Sequence, residues 1–289
     1  MALNMTTFAA ALKQHYTNER VENMVYKDNP FLAMISKYEQ FGGENLKLPI
    51  KYGIPQGRSA TFSDAQANKT NTQLKAFLLT RVSDYSLASI ANETIEASKG
   101  NANAFMEAAT VEIDGAIESA TRSLAIGLFG DGGGSIGQLL ADPATGTTFT
   151  LKETEDVTNF EVGMQVAAYT AATGGTVRSG GARTIDAVNR DTGVITVSTA
   201  IDAAWAINDF IVPEGDYDLK IKGLNAWVPS SAPGSTDSFF GVNRSSDATR
   251  LGGIRFDASS LPLEEGLIGA AARVAREGGK PDVCFVNYS

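Results

Sequence analysis

The sequence predicts a mixed α+β fold, and three observations carry that prediction. One long amphipathic helix is written into residues 101–129, two strand-like runs flank a polar connection between residues 45 and 90, and five short β-type runs crowd residues 145–215. At 289 residues, with 43% hydrophobic and 20% charged side chains, the chain can bury one large core or several smaller ones.

The first 44 residues mix short amphipathic pieces with a turn at "KDNPF" and close on "FGGEN", which reads as an arm. "NLKLPIKY" then reads as a strand from Asn45, with Pro49 suited to an edge position, and "LKAFLLTRVSDYSLASI" (Leu74–Ile90) as a longer one. About twenty polar residues join them. The pair is an extended hairpin whose connection, 53–73, has too little apolar surface to order itself and is expected to order only against a neighbour.

The helix follows. Apolar residues at Met106, Ala109, Ile113, Ala116, Ala120, Leu124 and Leu128 recur at three and four, giving a rod of roughly 43 Å. That spacing turns Ile113, Ala120 and Leu124 inward and Glu112 and Arg122 outward. Gly115 costs about 1 kcal/mol relative to alanine, and the glycines from Gly130 onward stop the helix.

Those glycines, in "GLFGDGGGSIGQLL", raise a second possibility. Gly132, Gly134 and Gly137 satisfy G-x-G-x-x-G, the spacing that lets a backbone approach a pyrophosphate. A dinucleotide site needs them after a strand and at the start of a helix. Here they follow a helix C-terminus, whose partial negative charge repels phosphate, and no Lys-Ser/Thr follows to make a P-loop. A helix stop with a flexible loop is the better reading.

Residues 145–215 contain "TTFTLKE", "VGMQVAAYT", "RTIDAVN", "GVITVSTAI" and "DFIVPEGD", separated by turn signals; Gly193 can supply a positive φ in the hairpin "IDAVNRDTGVITVS". Five short strands in this length suggest a small barrel or sandwich. An oligonucleotide-binding barrel needs a basic groove and stacking aromatics, whereas these strands carry acids and few aromatics, so a structural insertion is preferred. Downstream, "FFGVNRSSDATRLGG" carries Arg244 and Arg250. A helix capped by Ser260 follows, with Pro262 and Leu263 opening it, Glu264 and Glu265 in its first turn and Gly278 and Gly279 ending it. "PDVCFVN" reads as a buried strand, and Asn287 or Ser289 would cap a further helix, so the chain is expected to continue past Ser289.

The net charge of −9 and pI near 4.8 argue against a general nucleic-acid binder, leaving room for a local basic patch. Cys284 is the only cysteine and His15 the only histidine, so neither an intrachain disulfide nor a metal cluster or a histidine-based triad has its residues. No leader and no membrane span are expected. Cys284 in an apolar strand reads as an inert core thiol, His15 as an exposed arm residue, Glu153, Glu155 and Asp156 as a solvated face, and Arg244 and Arg250 as ion-pair partners for a neighbouring chain. No catalytic, cofactor-binding or metal-binding residue is assigned.

The order of these parts is what resembles a known family. An N-terminal arm, a long two-stranded loop with "ATFSDA" near its tip, the pair reading "FLLTRVSDYSLASIANETIEAS", a long helix ending in "LFGDGGG" and a later "GVNRSSDATRLGG" look like the major capsid proteins of tailed bacteriophages, of the Hong Kong phage type. The resemblance implies a capsid fold with an N-terminal arm (1–44), an extended β-hairpin loop (45–92), the spine helix of a peripheral domain (93–144), a β-rich, barrel-like insertion that only some members share (145–215), and the remainder of the peripheral and axial domains (216–289). It further implies a non-enzymatic subunit without cofactors that assembles in the host cytoplasm into pentamers and hexamers of an icosahedral virion shell. Such a shell encloses double-stranded DNA without sequence-specific binding and is open to scaffold, portal and decoration proteins. No motif locates cross-linking residues. The alternatives are an encapsulin-like nanocompartment shell, a nucleotide-binding enzyme and a secreted β-rich adhesin.

Overall fold

The structure, a computed structural model, describes residues 30–36, 45–89, 102–143, 146–201 and 203–285, together with Tyr38, Phe41 and Gly43. His15 and most of the arm, Ile90, and the terminal Asn287 and Ser289 lie outside the described residues, as do the side chains of Met106 and Ala109. In chain order the elements are α1 (Pro30–Met34), β1 (Asn45–Gly53), α2 (Phe62–Ala67), β2 (Gln73–Thr80), α3 (Ala102–Phe129), β3 (Gly137–Gln138), β4 (Thr148–Thr150), β5 (Gln165–Tyr169), β6 (Arg183–Asn189), β7 (Val194–Val197), β8 (Phe210–Pro213), α4 (Leu224–Trp227) and α5 (Leu263–Arg276). The fold is mixed α+β, as the sequence predicts. The chain divides into two compact units, one within Met1–Glu39 and Ser83–Phe129, the other within Gln40–Val82 and Gly130–Ser289.

In the first unit α3 spans 28 residues, roughly 42 Å of helix. An extended strap runs beside it: the Ser86 hydroxyl donates to Ala116 O at 2.8 Å, and the Ser123 hydroxyl to the Asp84 carboxylate at 2.6 Å. The strap is not strand, so the second hairpin run ends at Thr80 and does not reach Ile90. Phe31 of α1 meets Phe129 with ring centres 5.0 Å apart. The expected inward stripe is only partly there. Ile113 is half-buried, but Ala120 and Leu124 are exposed, Leu124 at 36%, and Arg122 is half-buried with Glu112 exposed. Alanine is the commonest residue of this helix, and so small a side chain gives a periodicity that points weakly to any one face.

The second unit holds a small β-barrel. Its strands follow the order β3-β8-β5-β6-β7-β4, antiparallel throughout. The two ends meet: Leu139 bridges Leu151, Leu140 N–H donates to Thr150 O at 3.0 Å, and Lys152 N–H to Gln138 O at 2.8 Å, closing the sheet on itself. Closure leaves a core of Leu139, Phe149, Leu151, Phe160, Val166, Ile185, Ile195, Trp205 and Ile211, with Phe149 against both Phe160 and Trp205. All five β-type runs form strands at their predicted places, and Gly193 turns the β6–β7 hairpin at φ 66°. The sixth strand, β3, lies inside the glycine-rich segment, upstream of residue 145.

Two expectations near the C-terminal end fail. Helix α5 starts at Leu263 with Pro262 at its cap position, and Ser260 sits in the turn before it, because proline's fixed φ opens the helix without a side-chain cap. Residues 281–285 pair with no strand among the described residues, so Val283 and Phe285 are exposed and Cys284 is an exposed free thiol, not a core residue.

Candidate assembly surface

The hairpin alternates its side chains between two faces as far as Lys51, where the register shifts before Gly53. Leu48 faces Phe77 and Ile50 faces Lys75, which puts Leu46, Leu48 and Ile50 on one face with Lys75, Phe77 and Leu79, and Tyr52 packs against the same cluster. This inner face is anchored. Phe77, 1% exposed, packs edge-on against Trp227 at 5.4 Å and Phe239 at 6.0 Å, in a cluster completed by Val242 and Leu251. Lys75 Nζ donates to Asn243 O and to the Ser246 hydroxyl, each at 2.7 Å, Leu78 N–H donates to Phe240 O at 3.1 Å, and Arg250 Nη1 donates to Tyr52 O at 2.8 Å.

The outer face carries Lys47, Pro49 and Lys51 opposite Leu78, Ala76 and Leu74. Lys47, Lys51, Leu74 and Leu78 are all exposed. Beyond the strands the connection has more order than its composition suggests. Gln56 N–H donates to the Thr70 hydroxyl at 2.8 Å, Thr70 N–H returns to Gln56 O at 2.6 Å, and the Thr61 hydroxyl meets Asp64 at 2.6 Å ahead of α2. Hydrogen bonds, not apolar burial, close this tip, which is why a hydrophobicity argument missed it. Phe62, at the start of α2, is 85% exposed. Helix α5 offers a second open face, with Leu263, Leu267 and Ile268 exposed beside Glu264 and Glu265.

The other candidate residues take structural roles. Arg244 is buried, not a surface residue awaiting a neighbour: it forms a two-pronged pair with Asp237 at 2.9 Å, donates to Ala226 O at 2.7 Å, and lies 4.1 Å from the Phe239 ring centre. Hydrogen bonding from Arg244 holds the Asp237 carboxyl below its ordinary range. The fork geometry of arginine and the turn at Phe239–Val242 bring these groups together; the nearby Asp237 is the one sequence signal that could have found the pair. Arg250 stays exposed, 3.7 Å from Asp247 and 3.8 Å from Glu277. A second pair unseen in the sequence joins Arg178 to buried Asp209 through two 2.7 Å bonds.

Glu153 and Glu155 are exposed as expected, while Asp156 is half-buried, and burial first, then those two neighbours, raise its carboxyl above the usual range. The glycine segment is not a flexible loop. Gly132 and Gly133 are buried, a Cβ on Gly133 would stand 1.8 Å from Ala172 O, and the carbonyls of Gly132 and Gly133 accept from Lys220 N–H and Asp218 N–H at 3.3 Å. Among the described residues no group of His, Cys, Asp and Glu can hold a metal ion, and no helix is long and apolar enough to cross a membrane. Comparison of the chain with protein-family models, with curated proteins and with solved structures finds no match.

Proposed function

We propose that the chain is a structural subunit that self-assembles into the icosahedral shell of a tailed bacteriophage, of the Hong Kong phage type, around double-stranded DNA. One observation carries the reading: a two-stranded sheet, anchored through its inner face and the Leu78 N–H, presents leucines and lysines outward and ends in an exposed phenylalanine. Such a sheet is marginal in water unless another surface covers it. Many identical copies in closed symmetry supply that surface, each covering its neighbour's hairpin. The long α3, following the hairpin in the chain, matches the place of the spine helix in that family, and the barrel corresponds to an insertion carried by some of its members. The acidic balance of the whole chain suits a wall that holds a genome without binding it tightly.

Electron microscopy of the purified protein tests the proposal. Closed shells, or rings of five and six subunits, are the expected result, and nuclease-protected DNA in particles from infected cells distinguishes a virion from an enzyme-filled compartment. A protein that stays monomeric at every concentration overturns it.

A further inference from the structure

The acidic chain has one markedly basic element. Between Asn45 and Val82 six bases, Lys47, Lys51, Arg58, Lys69, Lys75 and Arg81, stand against one acid, Asp64. Lys75 and Arg81 are used internally, on Asn243 O and Phe41 O. The other four are exposed and form no ion pair with a described residue. Lys47 and Lys51 share the outer face with Leu74 and Leu78, and Arg58 and Lys69 belong to the connection that also exposes Ile54 and Phe62, so basic charge and apolar surface occur together along the hairpin. The first turn of helix α5 carries the opposite combination, while Arg273 and Arg276 lie at its far end. Leu263 and Ile268, 74% and 70% exposed, lie with Leu267 around Glu264, and Glu265 follows; neither glutamate pairs with a described residue.

We infer that the outer face of the hairpin docks on the exposed face of α5 in a second copy of the chain, bases against Glu264 and Glu265 around a shared apolar strip. This rests on the proposed multi-copy assembly and adds to it the receiving surface. Charge complementarity selects the partner: apolar side chains between like charges would be repelled by another hairpin, whereas α5 provides both the leucines and the carboxylates. The phosphates of a nucleic acid would satisfy the bases but leave the aliphatic side chains in water.

Charge exchange in the full-length protein tests the docking. Lys51→Glu with Arg58→Glu, and separately Glu264→Lys with Glu265→Lys, should each weaken self-association about tenfold or more in sedimentation at low salt, and the four substitutions together should restore it. All four positions are exposed, so the unfolding temperature serves as the folding control, and the matching glutamine variants provide a milder second series. The inference falls if the fourfold variant associates no better than the one-sided variants, or if the one-sided variants associate like the parent. It also falls if the hairpin variant loses only a salt-dependent binding to duplex DNA that the parent possesses. In these cases the parent still forms shells and the proposed function stands; a parent that never associates removes both.

Discussion

Arg244 grips Asp237 through two 2.9 Å hydrogen bonds while its guanidinium lies over Phe239, so one buried cation joins the 237–244 turn to the aromatic cluster that anchors the hairpin. Removing one member of such a pair strands the other. Arg244→Ala should cost about 3–5 kcal/mol of subunit stability, and Arg244→Lys should recover only part of it, because an ammonium cannot reproduce the fork. Chemical denaturation of the unassembled subunit measures both.

The same pair has a signature in acid. The Asp237 carboxyl is depressed below its ordinary value of 3.8 in the folded chain, so on acidification the unfolded chain takes up the proton first. The stabilisation is complete above that value and is lost as pH falls through the depressed one. Asp237→Asn should therefore lower the unfolding temperature at neutral pH, with the gap to the parent closing as the pH falls below the ordinary carboxylate range. A gap constant with pH would refute the assignment.

Anchor and tip of the hairpin should separate in their effects. Phe77→Ala empties a fully enclosed site and should cost about 3–5 kcal/mol. Phe62→Ala, at an exposed position, should leave the isolated subunit within about 0.5 kcal/mol of the parent yet weaken assembly. Thermal unfolding of the subunit and sedimentation of the assembly provide the two readouts.

Gly133 and Gly163 offer a paired test of the glycines. Alanine at Gly133 collides with the Ala172 carbonyl, which is backbone and cannot swing aside, so this variant should yield little folded barrel. At Gly163, where φ is 88° but nothing lies within 4 Å of a Cβ, alanine should cost only about 1 kcal/mol. Near-ultraviolet circular dichroism of Trp205, enclosed in the barrel, reports the difference.

The elements that could be read from the sequence are those whose side chains alternate or repeat on their own. Val194–Val197 and Arg183–Asn189 announce themselves through β-branched runs around an Asn-to-Gly turn, and α3 through its length. Strand β3 could not be seen, since Gly137 has no side chain and becomes strand only because Ile211 lies beside it. Val283 and Phe285 misled for the converse reason: apolar residues make a strand only when a partner edge is present. Arg244 looked like a surface residue because burial of a charge depends on a partner and an aromatic floor that meet only in three dimensions. Of the candidate surface, the hairpin was legible and its inner and outer faces were not, since register decides which lysine goes where.

The barrel should be removable, but at different cuts from those its obvious strands suggest. Excision from Thr147 to Gly215 leaves β3 without β8 and exposes Leu139. Cuts placed beyond Gly132 and before Lys220, whose backbones are hydrogen-bonded at 3.3 Å, need only a short Gly/Ser bridge. The shorter excision should give insoluble protein. The longer one should keep the aromatic cluster folded, as read from the tryptophan fluorescence of Trp227.

That clasp between Gly132 and Lys220 also sets how the subunit carries load. Tension along the chain would pull the two antiparallel segments apart from their open end, loading the Gly132–Lys220 and Gly133–Asp218 rungs one after another and then the β3–β8 pair. Rungs strained in sequence yield at lower force than rungs sheared together. In the shell proposed above, internal pressure would thus stretch the chain first at the neck of the barrel, releasing slack there while the aromatic anchor holds its shape.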